Sequence, residues 1–97
     1  MITVQGEVGV QVEYVTKGKV TNIKVGNKPL RSYQMPENHA QVAVELGLTK
    51  NLGNYESLRV NVTVKLPAKE EDVADKLEEA KGIAEVYLQK FVKEATS

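Results

Sequence analysis

The sequence predicts an α+β two-layer sandwich, a four-stranded antiparallel sheet of two hairpins covered by one long C-terminal amphipathic helix. Three observations predict it: apolar and polar residues alternate within residues 2–25, they alternate again within 42–66, and apolar residues recur every three or four positions from 69 to 94. The 97 residues suit one domain, with the sheet in residues 1–66 and the helix in 67–97.

The first predicted hairpin rests on residues 2–15, whose β-branched apolar residues fall on alternate positions. Gly6 and Gly9 interrupt this run, which indicates a bulge or a bend. Residues 17–18 (Lys-Gly) predict a turn, and residues 19–25 predict the second strand.

Residues 27–39 contain Pro29 and Pro36 and show no periodicity, which predicts a loop of about a dozen residues. Long loops often carry binding elements, and apolar side chains in an exposed loop are candidate anchors for a protein partner. The alternative is that these side chains pack under the sheet edge. The candidate anchor set is Leu30, Arg31, Tyr33 and Met35.

The second hairpin has the clearest pattern. Apolar residues alternate with polar ones from Val42 to Leu48 and from Leu58 to Leu66, around an Asn/Gly-containing loop at residues 50–54. Such runs are typical of antiparallel strands with one wet face and one dry face.

The helix is predicted from Lys69 to Glu94, about 39 Å long at 1.5 Å per residue. Strands usually run roughly 20–30 Å, so we expect part of the helix to project beyond the sheet. Apolar residues off the main stripe, namely Ile83, Val86 and Val92, widen the apolar band. A homodimer is the expected way to bury this surplus.

Composition excludes several classes of function. The absence of cysteine excludes disulfides, zinc fingers and thiol nucleophiles. His39 is the sole histidine, which is typical of a solvated or locally bonded loop residue. The acidic run Glu70–Asp72 lacks the spacing of a calcium loop. We therefore expect no enzyme activity, cofactor or metal. With no spanning apolar run and no signal peptide, we expect no membrane partner and a cytoplasmic protein.

The zero net charge conceals an asymmetry, because residues 1–66 carry a net charge of +3 and residues 67–97 carry −3. A basic sheet that presents polar groups and an aromatic ring suits a single-stranded nucleic acid, whose phosphates contact Lys or Arg while a base stacks on the ring. The alternative is an ordinary solvated face, since Glu7, Glu13 and Glu45 share the outward parity. The outward candidates are Tyr55, Arg59 and Lys65, with Lys50 in the connecting loop.

Two resemblances bear on function. The run Asn51–Ser57 (NLGNYES), continuing through residues 58–64 to Leu66-Pro67 and an acidic helix, resembles small phage-encoded proteins of early or DNA-metabolism gene clusters. Separately, the predicted topology is similar to the whirly-type single-stranded-DNA-binding proteins. That similarity implies a DNA-facing set of Tyr55, Arg59 and Lys65 with Lys17, Lys19 and Lys24.

Two function classes follow. The first is a phage-type single-stranded-DNA-binding or replication-accessory protein that uses the basic polar face of the sheet, in the host cytoplasm. The second is a small interaction module that binds a host or phage protein through loop 27–39 or the acidic helix face. Such a module would be an inhibitor of a host enzyme or defence complex, or a minor virion component.

Overall fold

The computed structural model describes residues 1–53 and 55–96, and for residues 20, 22–25, 95 and 96 it describes the backbone alone. It confirms the predicted fold class, since four antiparallel strands precede one C-terminal helix. The elements are β1 (Ile2–Thr16), β2 (Lys19–Met35), β3 (Ala40–Gly53), β4 (Glu56–Ala68), a 3-10 turn (Glu70–Asp72) and α1 (Val73–Thr96).

The strands lie in the order β2-β1-β4-β3, so the two hairpins join through the central pair β1 and β4. This pairing brings the turns of both hairpins to one end of the sheet, where the Lys17 N–H donates to the Tyr55 carbonyl oxygen over 3.3 Å. We name it the hairpin end. At the opposite end Ala40 pairs with Ala68, and the chain enters α1; we name this the helix-start end.

The core lies between α1 and the dry face of the sheet. Alternate residues of β4 are fully buried, among them Val60, Val62 and Val64. They face Ala80 and Ala84 of α1, which are also fully buried and whose small side chains let the helix approach the sheet closely. Burial of each valine side chain contributes about 1.5–3 kcal/mol to folding, so the buried residues of β4 supply much of the stability of the fold.

The prediction of a loop at residues 27–39 is wrong, because β2 continues to Met35 and only residues 36–39 connect it to β3. Pro29 is tolerated because β2 is an edge strand, where a missing N–H breaks no ladder. Two register shifts, opposite Gln5/Glu7 and Val10/Gln11 of β1, insert extra residues into β2. Each insertion switches the parity of the side chains, which conceals the period of two in the sequence.

The prediction that the helix projects beyond the sheet is also wrong. The strands contain 13 to 17 residues, about 43–56 Å at 3.3 Å each, whereas the 24 residues of α1 span about 36 Å. The molecule measures 53 × 21 × 20 Å, with the strands along its long axis. Of the three off-stripe apolar residues only Val86 is strongly exposed (68%), whereas Ile83 and Val92 pack against the core.

Candidate nucleic-acid interface

The open face is the sheet surface that points away from α1, formed by the odd-numbered residues of β1, β3 and β4. Its two described cations each lie opposite a glutamate of β1: Arg59 pairs with Glu13, and Lys65 pairs with Glu7. The Arg59 Nη1 and Glu13 Oε2 atoms are 3.5 Å apart. Because Glu45 lies on the same face, the described side chains of the open face carry no basic excess.

A shallow polar trough of about 450 Å³ occupies the middle of the open face. Asn27 lies across Gly9 and Asn61 lies across Gly47, with the amide oxygens 2.7 and 2.5 Å from the position that a Cβ on each glycine would take. The two glycines therefore give these amides their space. Apart from Gly9 and Val10, the described lining is amide, hydroxyl, carboxylate and ammonium groups without an aromatic ring, so it offers hydrogen bonds but no surface for stacking.

The hairpin end carries a different set of groups. Tyr55 is 89% exposed, and its carbonyl oxygen accepts the hydrogen bond from the Lys17 amide. Both residues adopt left-handed backbone conformations, with φ of 63° for Tyr55 and 49° for Lys17. Lys19 follows Gly18 and is exposed. A bulky residue in this conformation costs about 1–2 kcal/mol, so the turn holds Tyr55 outward at an energetic cost.

The remaining nucleic-acid candidates divide between the faces. Lys50 lies within β3, not in a loop, and pairs with the buried Leu58, which places it on the helix side of the sheet. There it lines a groove with Leu48 and Lys90. The prediction that Lys50 joins Arg59 and Lys65 is therefore wrong. The side chain of the predicted Lys24 lies outside the described residues.

The predicted loop anchors are packed in β2. Met35 is buried, Leu30 packs against the core, and the Arg31 guanidinium lies 5.6 Å from the centre of the Tyr33 ring. The Tyr33 hydroxyl donates to Glu79 Oε1 over 3.3 Å. The exposed-loop interpretation is therefore wrong: Leu30, Tyr33 and Met35 pack at the sheet edge, as in the alternative, whereas Arg31 is exposed on β2.

Tyr33 is also the residue, among those described, whose pKa is shifted from its ordinary value. Burial and the negative charge of Glu79 raise the pKa of the Tyr33 phenol, because both disfavour the phenolate. The Lys76 ammonium, 4.3 Å from the ring centre, opposes this effect. The arrangement ties the β2 edge to α1 and leaves the ring poorly placed to meet a partner.

Within the described part of the chain no three carboxylate or imidazole groups come together as a metal site would require. The sole histidine is locally bonded, as expected: His39 Nδ1 lies 2.8 Å from the Pro36 carbonyl oxygen. Over the same residues, no helix has the length and apolarity needed to cross a membrane.

Sequence reasoning missed the convergence of the two turns. The sequence predicts a turn at residues 17–18 and a loop at residues 50–54, but it does not say which strands of different hairpins are neighbours. The β1–β4 pairing, which runs from Glu7↔Lys65 to Thr16↔Glu56, decides this.

Comparison with protein-family models, with curated proteins and with solved structures gives no match.

Proposed function

We propose that the protein is a non-enzymatic single-stranded-DNA-binding protein of the replication-accessory kind, and that its binding site is the hairpin end. One observation carries the proposal: the Lys17–Tyr55 backbone hydrogen bond joins the two turns, so the 89% exposed Tyr55 and the exposed Lys17 and Lys19 lie at the same end of the sheet. A base stacks on such a ring for about 1–3 kcal/mol, and the ammonium groups meet the adjacent phosphates.

Charge supports the hairpin end over the open face. Lys17 and Lys19 are both exposed, whereas the nearest acidic residue in the ladder, Glu56, is half-buried. On the open face a phosphate would have to displace Glu13 from Arg59 and approach Glu7 beside Lys65. The resemblance of residues 51–57 to phage proteins includes this same Tyr55 turn.

The second function class, a protein-interaction module, loses its loop anchors because these side chains pack against the core and α1. The acidic start of the helix is the surface left to it. Failure to bind DNA at low salt would favour this class.

The test is fluorescence anisotropy of labelled oligo-dT across a salt series. We expect Tyr55→Ala to weaken binding roughly 5- to 150-fold, which corresponds to about 1–3 kcal/mol, while Tyr55→Phe keeps the ring and the affinity. Replacing Lys17 and Lys19 together, as Lys17→Asn and Lys19→Gln, should lower the magnitude of the log–log salt slope by about 0.7 for each phosphate that the protein no longer neutralises. Asn suits position 17 because it tolerates the left-handed conformation.

Two controls locate the site. Lys69→Gln removes one positive charge at the helix-start end and should leave affinity unchanged. Lys65→Gln tests the open face in the same way. A loss with Lys65→Gln that exceeds the loss with Tyr55→Ala would move the site to the open face, and wild-type affinity that does not vary with salt would refute the proposal.

A further inference from the structure

The two edges of the sheet differ in their protection against pairing with another chain. The sequence of β2 contains four cationic residues and Pro29, and its register shifts twice against β1. Charges, prolines and bulges are the usual means by which an edge strand is kept from pairing. This edge is therefore blocked.

The β3 edge has little of this protection. From Ala40 to Asn51 its register against β4 is unbroken, it contains no proline, and its charged residues are Glu45 and Lys50 alone. In the described part of the chain no strand pairs with its outer edge. Over these twelve regular residues, every second residue directs its backbone N–H and C=O groups to the open edge, the arrangement that accepts another strand.

Apolar surface accompanies this edge on the helix side. Leu48 is 44% exposed and lines a groove with Leu88 and Val92 of α1. Leu77, which lies nearer the helix-start end, is exposed to the same extent. An added strand would cover part of this surface, because the paired residues of an antiparallel ladder project from the same face.

We propose that a second copy of the chain occupies this edge, with two β3 strands paired antiparallel about a twofold axis into one eight-stranded sheet. Residues that pair must share a face, so the apolar Val44, Leu46 and Leu48 of one copy meet the same set of the other. Both helices then lie on one side of the sheet, antiparallel to each other.

The charge along the helix fits this orientation. Residues 69–80 contain six acidic and two basic side chains, whereas residues 81–96 contain two acidic and three basic ones. An antiparallel arrangement sets the acidic part of one helix toward the more basic part of the other, whereas a parallel one would set the two acidic parts together. The proposal does not depend on DNA binding, since the hairpin-end cluster takes no part in it.

The experiment measures the mass of the full chain by light scattering from low to high micromolar concentration, at low and at moderate salt. We expect a dimer that weakens with salt. Leu48→Lys places a charge at the β3 edge and should raise the dissociation constant at least tenfold. Thr21→Lys, an exposed position on the β2 edge, is the matched control and should leave the constant unchanged.

Hydrogen exchange separates this edge from other dimer interfaces and detects a variant that has unfolded. Alternate amides of β3 should be protected at high concentration and lose protection on dilution, while β4 amides stay protected in wild type and in Leu48→Lys. A wild-type monomer at the highest concentration overturns the proposal. So does a dimer whose β3 edge amides exchange freely, or one that dissociates with Thr21→Lys and persists with Leu48→Lys.

Discussion

Gly6 provides a sharp test of the packing, because the same glycine-to-alanine change has a matched counterpart at Gly47. Gly6 is buried in β1, and a Cβ there would lie 2.8 Å from Cδ2 of Leu66, 3.3 Å from the Lys65 carbonyl oxygen and 3.4 Å from the Leu30 Cβ. Leu66 is fully buried, so moving its side chain aside would disturb the surrounding core. Overpacking of this kind costs about 1–3 kcal/mol.

At Gly47 the atom in the way is the Asn61 amide oxygen, 2.5 Å from the Cβ position. This amide is the end of a side chain that borders the open trough, so it can turn aside. Alanine also removes part of the entropic cost of glycine in a strand. We therefore expect Gly47→Ala to stay within about 0.5 kcal/mol of the wild type.

The assay is urea unfolding followed by circular dichroism. With a denaturant slope of about 1–3 kcal/mol per molar, Gly6→Ala should lower the midpoint clearly while Gly47→Ala leaves it in place. Leu66→Val shortens the obstructing side chain, and Gly6→Ala should cost at least about 0.5 kcal/mol less in that background. Equal midpoints for the two alanine variants, or a larger loss at Gly47, would refute the packing argument.

Three further predictions concern a hydrogen bond, a turn residue and an ion pair. Tyr33→Phe should lose about 0.5–1 kcal/mol at neutral pH with the hydrogen bond to Glu79. Because the fold raises the Tyr33 pKa, the stability contributed by the neutral phenol is complete below pH about 10 and is lost as the pH rises through the raised value. The Phe variant should therefore lose stability less steeply in alkali than the wild type. Equal slopes of stability against pH would contradict this. Tyr55→Gly should add up to about 1 kcal/mol to the free energy of unfolding and so raise the thermal midpoint, because glycine accepts the left-handed conformation at φ 63°. A lowered midpoint would show that the ring packs in the fold. Glu13→Gln should cost about 0.2–1 kcal/mol through the lost ion pair with Arg59, and a difference that persists in high salt would rule out an electrostatic origin.

The parts of the fold that were predictable from sequence are those where one period runs unbroken. Residues 58–66 alternate without a bulge because β4 is a central strand with one face on the helix. The apolar residues of α1 recur every three or four positions because one side of the helix, which includes Ala80 and Ala84, packs on that face. Where the register shifts, as in β2, the period disappears from the sequence although the strand continues. Pro29 then indicates a loop, because its tolerance in a strand depends on an edge position that only the strand order provides.

The candidate site divides in the same way. Composition and local pattern determined by themselves the antiparallel hairpins, the single long helix, the basic sheet segment and the acidic helix segment. Only the tertiary structure decided that Arg59 is neutralised by Glu13, that Lys50 projects to the helix side, and that Lys17 and Tyr55 meet at one end. The physical reason is range: hydrophobic periodicity acts between residues a few positions apart, whereas those three placements depend on which strands pair and in which register.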